Sequence, residues 1–372
     1  MKTRWLVFLF VVGAALSAAS LSRAQTVKIT ALGAVTGEFC AGDRALLFED
    51  PTGVRVLIAP GRTVGLVSGG SAVGSADPRL GDVHVLLIDH PHVDHLGDVR
   101  QTNCAGTTNV PFAAPGNTES NAAEIAANKN SAVLVGGELP DFFTQKIKNI
   151  TGTAPGSCPT LNDPSTGFPF LDNRFTVPRA SPCIGVIRGG TRTVYFAKAT
   201  SGVAITTIEA FHAAGAPRIN IDPLDSVSGP GVPPGLTGYA GHETGYIMRF
   251  TNGLTVLWTG DSGLIGDWEV QSRLYKPNLA VVHAGDLFTM GPFEGAFAVS
   301  QLIKPRSVIP EHFNQASTSK GVVNPGTRLE AFINLVKGQG NTRIVVPLSG
   351  DSTPGNFFEF DGAGNCVAGP GC

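Results

Sequence analysis

The chain has 372 residues, with 47 glycines, 26 prolines and a formal net charge of −2. The length suits one large domain or two small ones, and the charge gives no field that would draw nucleic acid or an anionic membrane. The glycine and proline content excludes a plain helical bundle and points to short strands joined by tight turns.

Lys2 and Arg4 give a basic start, Trp5 to Ala19 is an apolar run, and Ser22-Arg23-Ala24 places small residues where a signal peptide is cut. The run is shorter than the ~20 residues a membrane span needs. The expectation is a signal peptide over 1–24, cleaved near Ala24, and a mature domain over 25–372 that is periplasmic or secreted with no stable membrane anchor. The cysteines are Cys40, Cys104, Cys158, Cys183, Cys366 and Cys372, with no C-x-x-C pair. An even count in an exported chain reads as disulfides, whose pairing the sequence leaves open.

Thr26 to Thr30, Ala45 to Phe48 and Gly53 to Ile58 read as strands. Val83 to Ile88 is a continuous apolar run broken only by His84, the pattern of a buried strand. His84 inside it reads as structural. A helix over Ser120 to Asn128, a strand over Ala132 to Val135 and a helix over Pro140 to Ile150 follow. They lie in a cysteine-bearing insert around 101–191, in which Thr151 to Pro182 reads as a turn-rich loop. The insert is either disulfide-tied decoration or a lid. Strands resume at Thr193 to Phe196 and Ala204 to Ala210, and Asn220 to Gly241 is a Gly/Pro-rich loop. Gly245 to Phe250 and Leu254 to Thr259 form a hairpin on the Asn-Gly chemistry of Thr251-Asn252-Gly253. Then come a strand at Leu279 to His283, a helix over Phe293 to Leu302 and a strand from Ser307 to Pro310. A helix over Thr327 to Lys337 and a strand from Ile344 to Pro347 complete the series. Two sheets with outer helices accommodate this count.

The chemistry gathers at His90-Pro91-His92-Val93-Asp94-His95, directly after the buried strand. In an extended segment His90 and His92 point the same way and can share one metal. Asp94 and His95 diverge and can reach a second. Packing does not explain three imidazoles in one short run of a chain with eight histidines.

The run resembles the H-x-H-x-D-H motif of the metallo-β-lactamase superfamily and continues into Leu96-Gly97. Phe211-His212 after a strand, Trp258-Thr259-Gly260-Asp261-Ser262, and Val308-Ile309-Pro310-Glu311-His312-Phe313-Asn314 resemble the superfamily's later motifs, in the right order. Leu287-Phe288-Thr289-Met290-Gly291-Pro292 is similar to the lactonase-like branch, relatives of ascorbate-6-phosphate lactonase. The resemblance implies an α+β fold, a four-layer αβ/βα sandwich. It also implies that His90, His92 and His212 hold one divalent metal, that Asp94, His95 and His312 hold another, and that Asp261 bridges them. Zn2+ suits the nitrogen and oxygen donors, with Mn2+ or Fe as alternatives. In such enzymes a hydroxide shared by the metals attacks the substrate, and Asp94 can pass a proton to the leaving group. The implied function is an exported hydrolase of a lactone, ester or phosphodiester. The alternative is a non-hydrolytic metal- or ligand-binding member. The bridging Asp261 argues against β-lactamase activity, which belongs to members lacking it. A small-molecule substrate is expected and nucleic acid is not; the oligomeric state stays open.

The chain departs from the pattern in two places. Leu57-Ile58-Ala59-Pro60-Gly61 has Ala59 where the family has an aspartate, which puts the nearby loop geometry in doubt. Asp89 precedes the first histidine where Thr or Ser is usual; it either orients a ligand histidine or caps the turn. His242 competes with His212 for the third ligand position. His283 at a strand end is either a core histidine or a support for the site. With Asp89, His242 and His283, Thr289 completes the side chains that could orient ligands or meet substrate.

Overall fold

The structure, a computed structural model, describes residues 25–32, 45–61, 64, 79–96, 99–101, 109–111, 121–136, 139–159, 161–162, 171–172, 174–212, 215–217, 237–239, 242–313, 315, 317–319, 322–347, 357–369 and 372. The expected signal peptide, Cys40, Cys104, Gly97, Asn314 and most of the Asn220–Gly241 loop lie outside them, as does the side chain of Asp94.

Two large sheets carry the fold. The first is built from β1 (Val27–Ala31), β2 (Leu46–Glu49), β3 (Arg55–Ile58), β4 (Val85–Leu87), β5 (Ala132–Val135) and β6 (Gly156–Ser157). The second begins with β7 (Arg174–Val177), after which β8 (Cys183–Val186) returns to the first. The second continues through β9 (Thr191–Phe196), β10 (Gly202–Glu209), β11 (Thr244–Arg249), β12 (Thr255–Trp258), β13 (Leu279–His283), β14 (Ser307–Glu311) and β15 (Arg343–Ile344). Finally β16 (Phe357–Phe360) and β17 (Cys366–Ala368) close the far edge of the first sheet. The spatial orders are β17-β16-β1-β2-β3-β4-β5-β8-β6 and β7-β9-β10-β11-β12-β13-β14-β15.

Burial follows the period of each strand. In β1 the inward Val27, Ile29 and Ala31 alternate with half-buried Lys28 and Thr30. β4, by contrast, is buried throughout, because helices cover its outer side. Between the sheets, Ile29, Phe48 and Val85 of the first pack with Tyr246, Trp258 and Val281 of the second. Burying each such side chain contributes about 1.5–3 kcal/mol. On the outer face of the first sheet lie α2 (Asn121–Lys129) and α3 (Leu139–Thr151), after the single turn α1 (Val93–Leu96). On the outer face of the second lie α4 (Asp267–Tyr275), α5 (Pro292–Phe297), which runs on as a wider π-turn over Ala298–Ile303, and α6 (Arg328–Gln339). The four layers are therefore helix, sheet, sheet, helix, the architecture expected.

Three expectations need correcting. Thr151–Pro182 is not simply loop: it holds β6 and β7, each an edge strand of a different sheet. Segment 101–191 is likewise part of the sandwich, because it contains α2, α3, β5 and β8. Its cysteines Cys158 and Cys183 are bonded to each other, as are Cys366 and Cys372. Third, the histidine run is extended only at its start. The His95 and Leu96 amides both donate to the His92 carbonyl, closing the turn α1.

Candidate metal centre

The clustered groups gather at the C-terminal ends of strands. His90 follows β4, His212 follows β10, Asp261 follows β12, His283 ends β13 and His312 follows β14. The strands β12, β13 and β14 are parallel neighbours, with Trp258 opposite Val281 and Val281 opposite Ile309. That register sets Asp261, His283 and His312 side by side. The end of β4 is strapped to the second sheet by hydrogen bonds, among them one from the Thr244 hydroxyl to the Asp89 carbonyl at 3.2 Å. Tyr246 Oη donates to the Ile88 carbonyl at 2.7 Å, the Thr244 amide to the Asp89 carbonyl at 3.0 Å, and Trp258 Nε1 to Asp89 Oδ2 at 3.2 Å. Gly260 turns the chain with φ +64°, and a Cβ there would lie 3.0 Å from the Thr244 carbonyl oxygen. Only glycine takes both the left-handed conformation and the contact without strain.

Asp261 Oδ2 is the geometric centre. His312 Nε2 lies 2.7 Å from it, His95 Nε2 3.4 Å, His90 Nε2 3.7 Å and His212 Nε2 3.8 Å. His212 Nε2 also faces His92 Nδ1 at 3.1 Å. Among the described residues three groupings have donor atoms close enough to share an ion: His90 with His92 and His212, His95 with Asp261 and His312, and Asp89 with His90 and His95, which links the first two. The backbone of Asp94 lies in α1, between His92 and His95.

Asp89 lies on the other side of the first histidines. Its Oδ1 accepts the His90 amide at 3.0 Å and lies 2.7 Å from His95 Nδ1 and 3.3 Å from His90 Nδ1. It thus touches two rings at once. Burial opposes ionisation of Asp89, but His95 and then His90 hold its carboxyl well below the usual carboxylate range. Asp261 behaves alike: burial pulls upward, and His312 and then His95 outweigh it. Of the other candidates, His242 is exposed, whereas His212 stands in the cluster. Thr289 serves its own turn, with its hydroxyl accepting the Gly285 amide at 2.9 Å. His84 is structural: its Nδ1 accepts the Arg55 amide at 3.0 Å. Ala59 is buried at φ 46° with its amide bonded to the Leu87 carbonyl, so the loop closes without the usual aspartate.

One residue escaped the sequence reading. Glu243 is buried, and burial pushes its carboxyl up against the opposing pull of its own and the His212 backbone amides. Its position beside the exposed His242 drew no attention to it, because nothing in the local sequence shows that the strand end folds back on His212.

The donor set fits cations. Asp89 Oδ1 stands 2.7 Å from His95 Nδ1, so a neutral ring that keeps its proton on that side turns its Nε2 lone pair toward the Asp261 carboxylate oxygen. Two acceptors facing each other at that distance repel unless a positive charge lies between them. His90 Nε2 is buried and meets no hydrogen-bond partner in the protein, a cost that a bound ion removes.

The metal-free protein should lose stability on acidification. Burial, and then the neighbouring His90, push His212 down from 6.5 to about 4. Across that window the unfolded chain takes up the proton first, so stability is full above pH 6.5 and falls as the pH drops toward 4. Chemical unfolding of chelator-treated protein across this range checks the sign. Trp258→Phe should cost about 1–3 kcal/mol in the same assay, because Asp89 Oδ2 loses its indole donor.

Two stacked sheets with outer helices, and a histidine–aspartate cluster at their C-terminal edges, define a protein of the metallo-β-lactamase fold. No family model matches the chain. A UPF0173 metal-dependent hydrolase from Herpetosiphon aurantiacus is 31% identical over 311 residues, covering 84% of this chain and 94% of the relative. Another from Koribacter versatilis is 25% identical over 312 residues, 84% of this chain and 93% of that one. Among solved structures, a metallo hydrolase from the archaeon Ignicoccus hospitalis is similar at 20% identity, covering 87% of this chain and 96% of that one with a TM-score of 0.48. The chain belongs to the UPF0173 metal-dependent hydrolase family.

Proposed function

We propose that this protein hydrolyses an uncharged ester or lactone at a pair of divalent cations, zinc foremost. His90, His92 and His212 would hold one ion; His95, His312 and Asp94 the other; Asp261 would lie between them. The observation that carries this reading is Asp261 Oδ2, with imidazole nitrogens of both groupings within 3.8 Å. Bound there, the ions supply a water of lowered pKa and a Lewis-acid contact for the substrate oxygen. The protein's own part is to fix that geometry. Asp89 orients His90 and His95, and the buried setting strengthens every charge interaction at the reacting carbon.

The surroundings support the choice of an uncharged substrate. The Phe211 amide donates to Ser262 Oγ at 2.9 Å, and the Met290 amide to the Ser262 carbonyl at 2.9 Å. Two segments are thereby pinned to the residue after Asp261. They carry Phe211 at 74% exposure, Leu287 at 82% and Phe288 at 59%. Apolar side chains beside a metal centre favour the hydrocarbon part of an ester or lactone over a charged phosphodiester.

A panel of ester, lactone, phosphodiester and β-lactam substrates on metal-restored protein tests the reading. The expected result is turnover of ester or lactone; a phosphodiester or β-lactam as the best substrate would overturn the substrate class. In parallel, His212→Ala should lose bound metal and His242→Ala should retain it. Full occupancy in His212→Ala would remove His212 from the ligand set.

A further inference from the structure

His283 is a buried histidine beside the centre that none of the metal groupings uses. It is fully buried at the end of β13. Its amide donates to Thr259 Oγ1 at 3.1 Å, and the ring of Trp258 stands edge-on to it, centroids 4.9 Å apart. The backbone and the ring are thus each held by a neighbour. Its Nδ1 lies 2.7 Å from Asp261 Oδ1, and its Nε2 is buried with no hydrogen-bond partner. A neutral ring with the proton on Nδ1 is the form that satisfies this contact, since Oδ1 can only accept.

The two oxygens of Asp261 therefore differ. Oδ1 belongs to His283, and Oδ2 faces His90, His95, His212 and His312. A carboxylate has a broad, soft torsion about its last bond. Left free, it could turn both oxygens onto one cation or set one oxygen on each, and carboxylates are found in either mode. We propose that His283 is a positioning residue that occupies Asp261 Oδ1, so that Oδ2 alone is presented to the two ions. This rests on the reading of Asp261 as the carboxylate between them. The consequence is specific. Losing the His283 N–H should weaken retention of the two-ion state more than binding of the first ion, because one grouping, His90 with His92 and His212, does not depend on Asp261.

The test is Zn2+ titration of chelator-stripped full-length protein by calorimetry, with thermal melts of the metal-free form. His283→Phe keeps a buried ring and removes the donor. His283→Asn places an amide N–H close to the position of Nδ1, whereas His283→Gln carries its amide one bond further out. The expected result is two Zn2+ per wild-type chain. In the Phe and Gln variants the second Zn2+ should weaken by about 10–100-fold, the usual scale for loss of a group supporting a metal ligand. The first should change little, and the Asn variant should stay near wild type. The proposal is overturned if the Phe variant binds both ions as wild type does. It is also overturned if all three variants lose both ions equally while their metal-free melting temperatures fall together, which would make His283 a packing residue only. If wild type takes up fewer than two Zn2+, or Asp261→Asn still takes up two, the two-ion reading itself fails and this inference with it.

Discussion

Replacing Asp261 by asparagine is expected to leave a folded protein with no more than one divalent ion per chain and a turnover lower by on the order of 10³-fold. The side chain keeps its volume, so the sandwich around it has no cavity to collapse into. What it loses is the negative charge at Oδ2, which stands within 3.8 Å of four imidazole nitrogens. Two cations held close together repel strongly in a buried site unless an anion lies between them. An amide cannot play that part, and its N–H₂ would also meet either His283 or the ions. Elemental analysis of the purified variant, with rates at saturating metal, reads both effects. Two ions and near-wild-type turnover would remove Asp261 from the centre of the site.

The second large effect is expected at Asp89, which the sequence left between an orienting role and a turn cap. The geometry gives it both: Oδ1 caps the His90 amide and stands against the His95 and His90 rings, while Oδ2 accepts from Trp258. Asp89→Ala strands the His95 ring N–H, an indole N–H and a backbone amide in a dry interior. Removing one partner of such a buried charged network costs about 3–5 kcal/mol. The ligand rings it held then become free to rotate, which should weaken metal binding by about 10–100-fold. Asp89→Asn, with one acceptor oxygen retained, should fall between alanine and wild type on both measures. Denaturant unfolding of the metal-free protein and Zn2+ affinity separate the two contributions. An alanine variant as stable as wild type would show that Asp89 carries neither load.

Much of this could be read from the sequence because local patterns coincide with burial. Val85–Leu87 is apolar on both faces since helices cover one and the second sheet the other, so it announces itself as a continuous run. The turn at Thr251-Asn252-Gly253 dictates its hairpin locally, and Gly253 takes the positive φ of 99° it requires. The metal-centre candidates were legible for a different reason: their residue types are costly to bury without a purpose.

What stayed hidden depends on distant neighbours. The helix Asp267–Tyr275 buries only Trp268 on its inner face and leaves Val270 and Leu274 exposed, so it shows no apolar stripe. β16 pairs with β1, more than 300 residues earlier, and a partner at that distance leaves no local mark. The sequence left His283 between core and support, and its partner is invisible along the chain. The contact arises because parallel pairing of β12 and β13 brings its ring beside an aspartate 22 positions earlier. Glu243 likewise comes near the His212 backbone only through the fold.

If two cations share Asp261 and act together on an ester or lactone, hydrolysis must follow metal content. Metal analysis of the purified protein, with hydrolysis measured in the same preparation before and after chelation and Zn2+ restoration, tests it most directly. The expected result is two ions per chain, loss of hydrolysis on chelation and recovery only as the second ion returns. Hydrolysis that is complete with one ion, or that survives chelation, would contradict it.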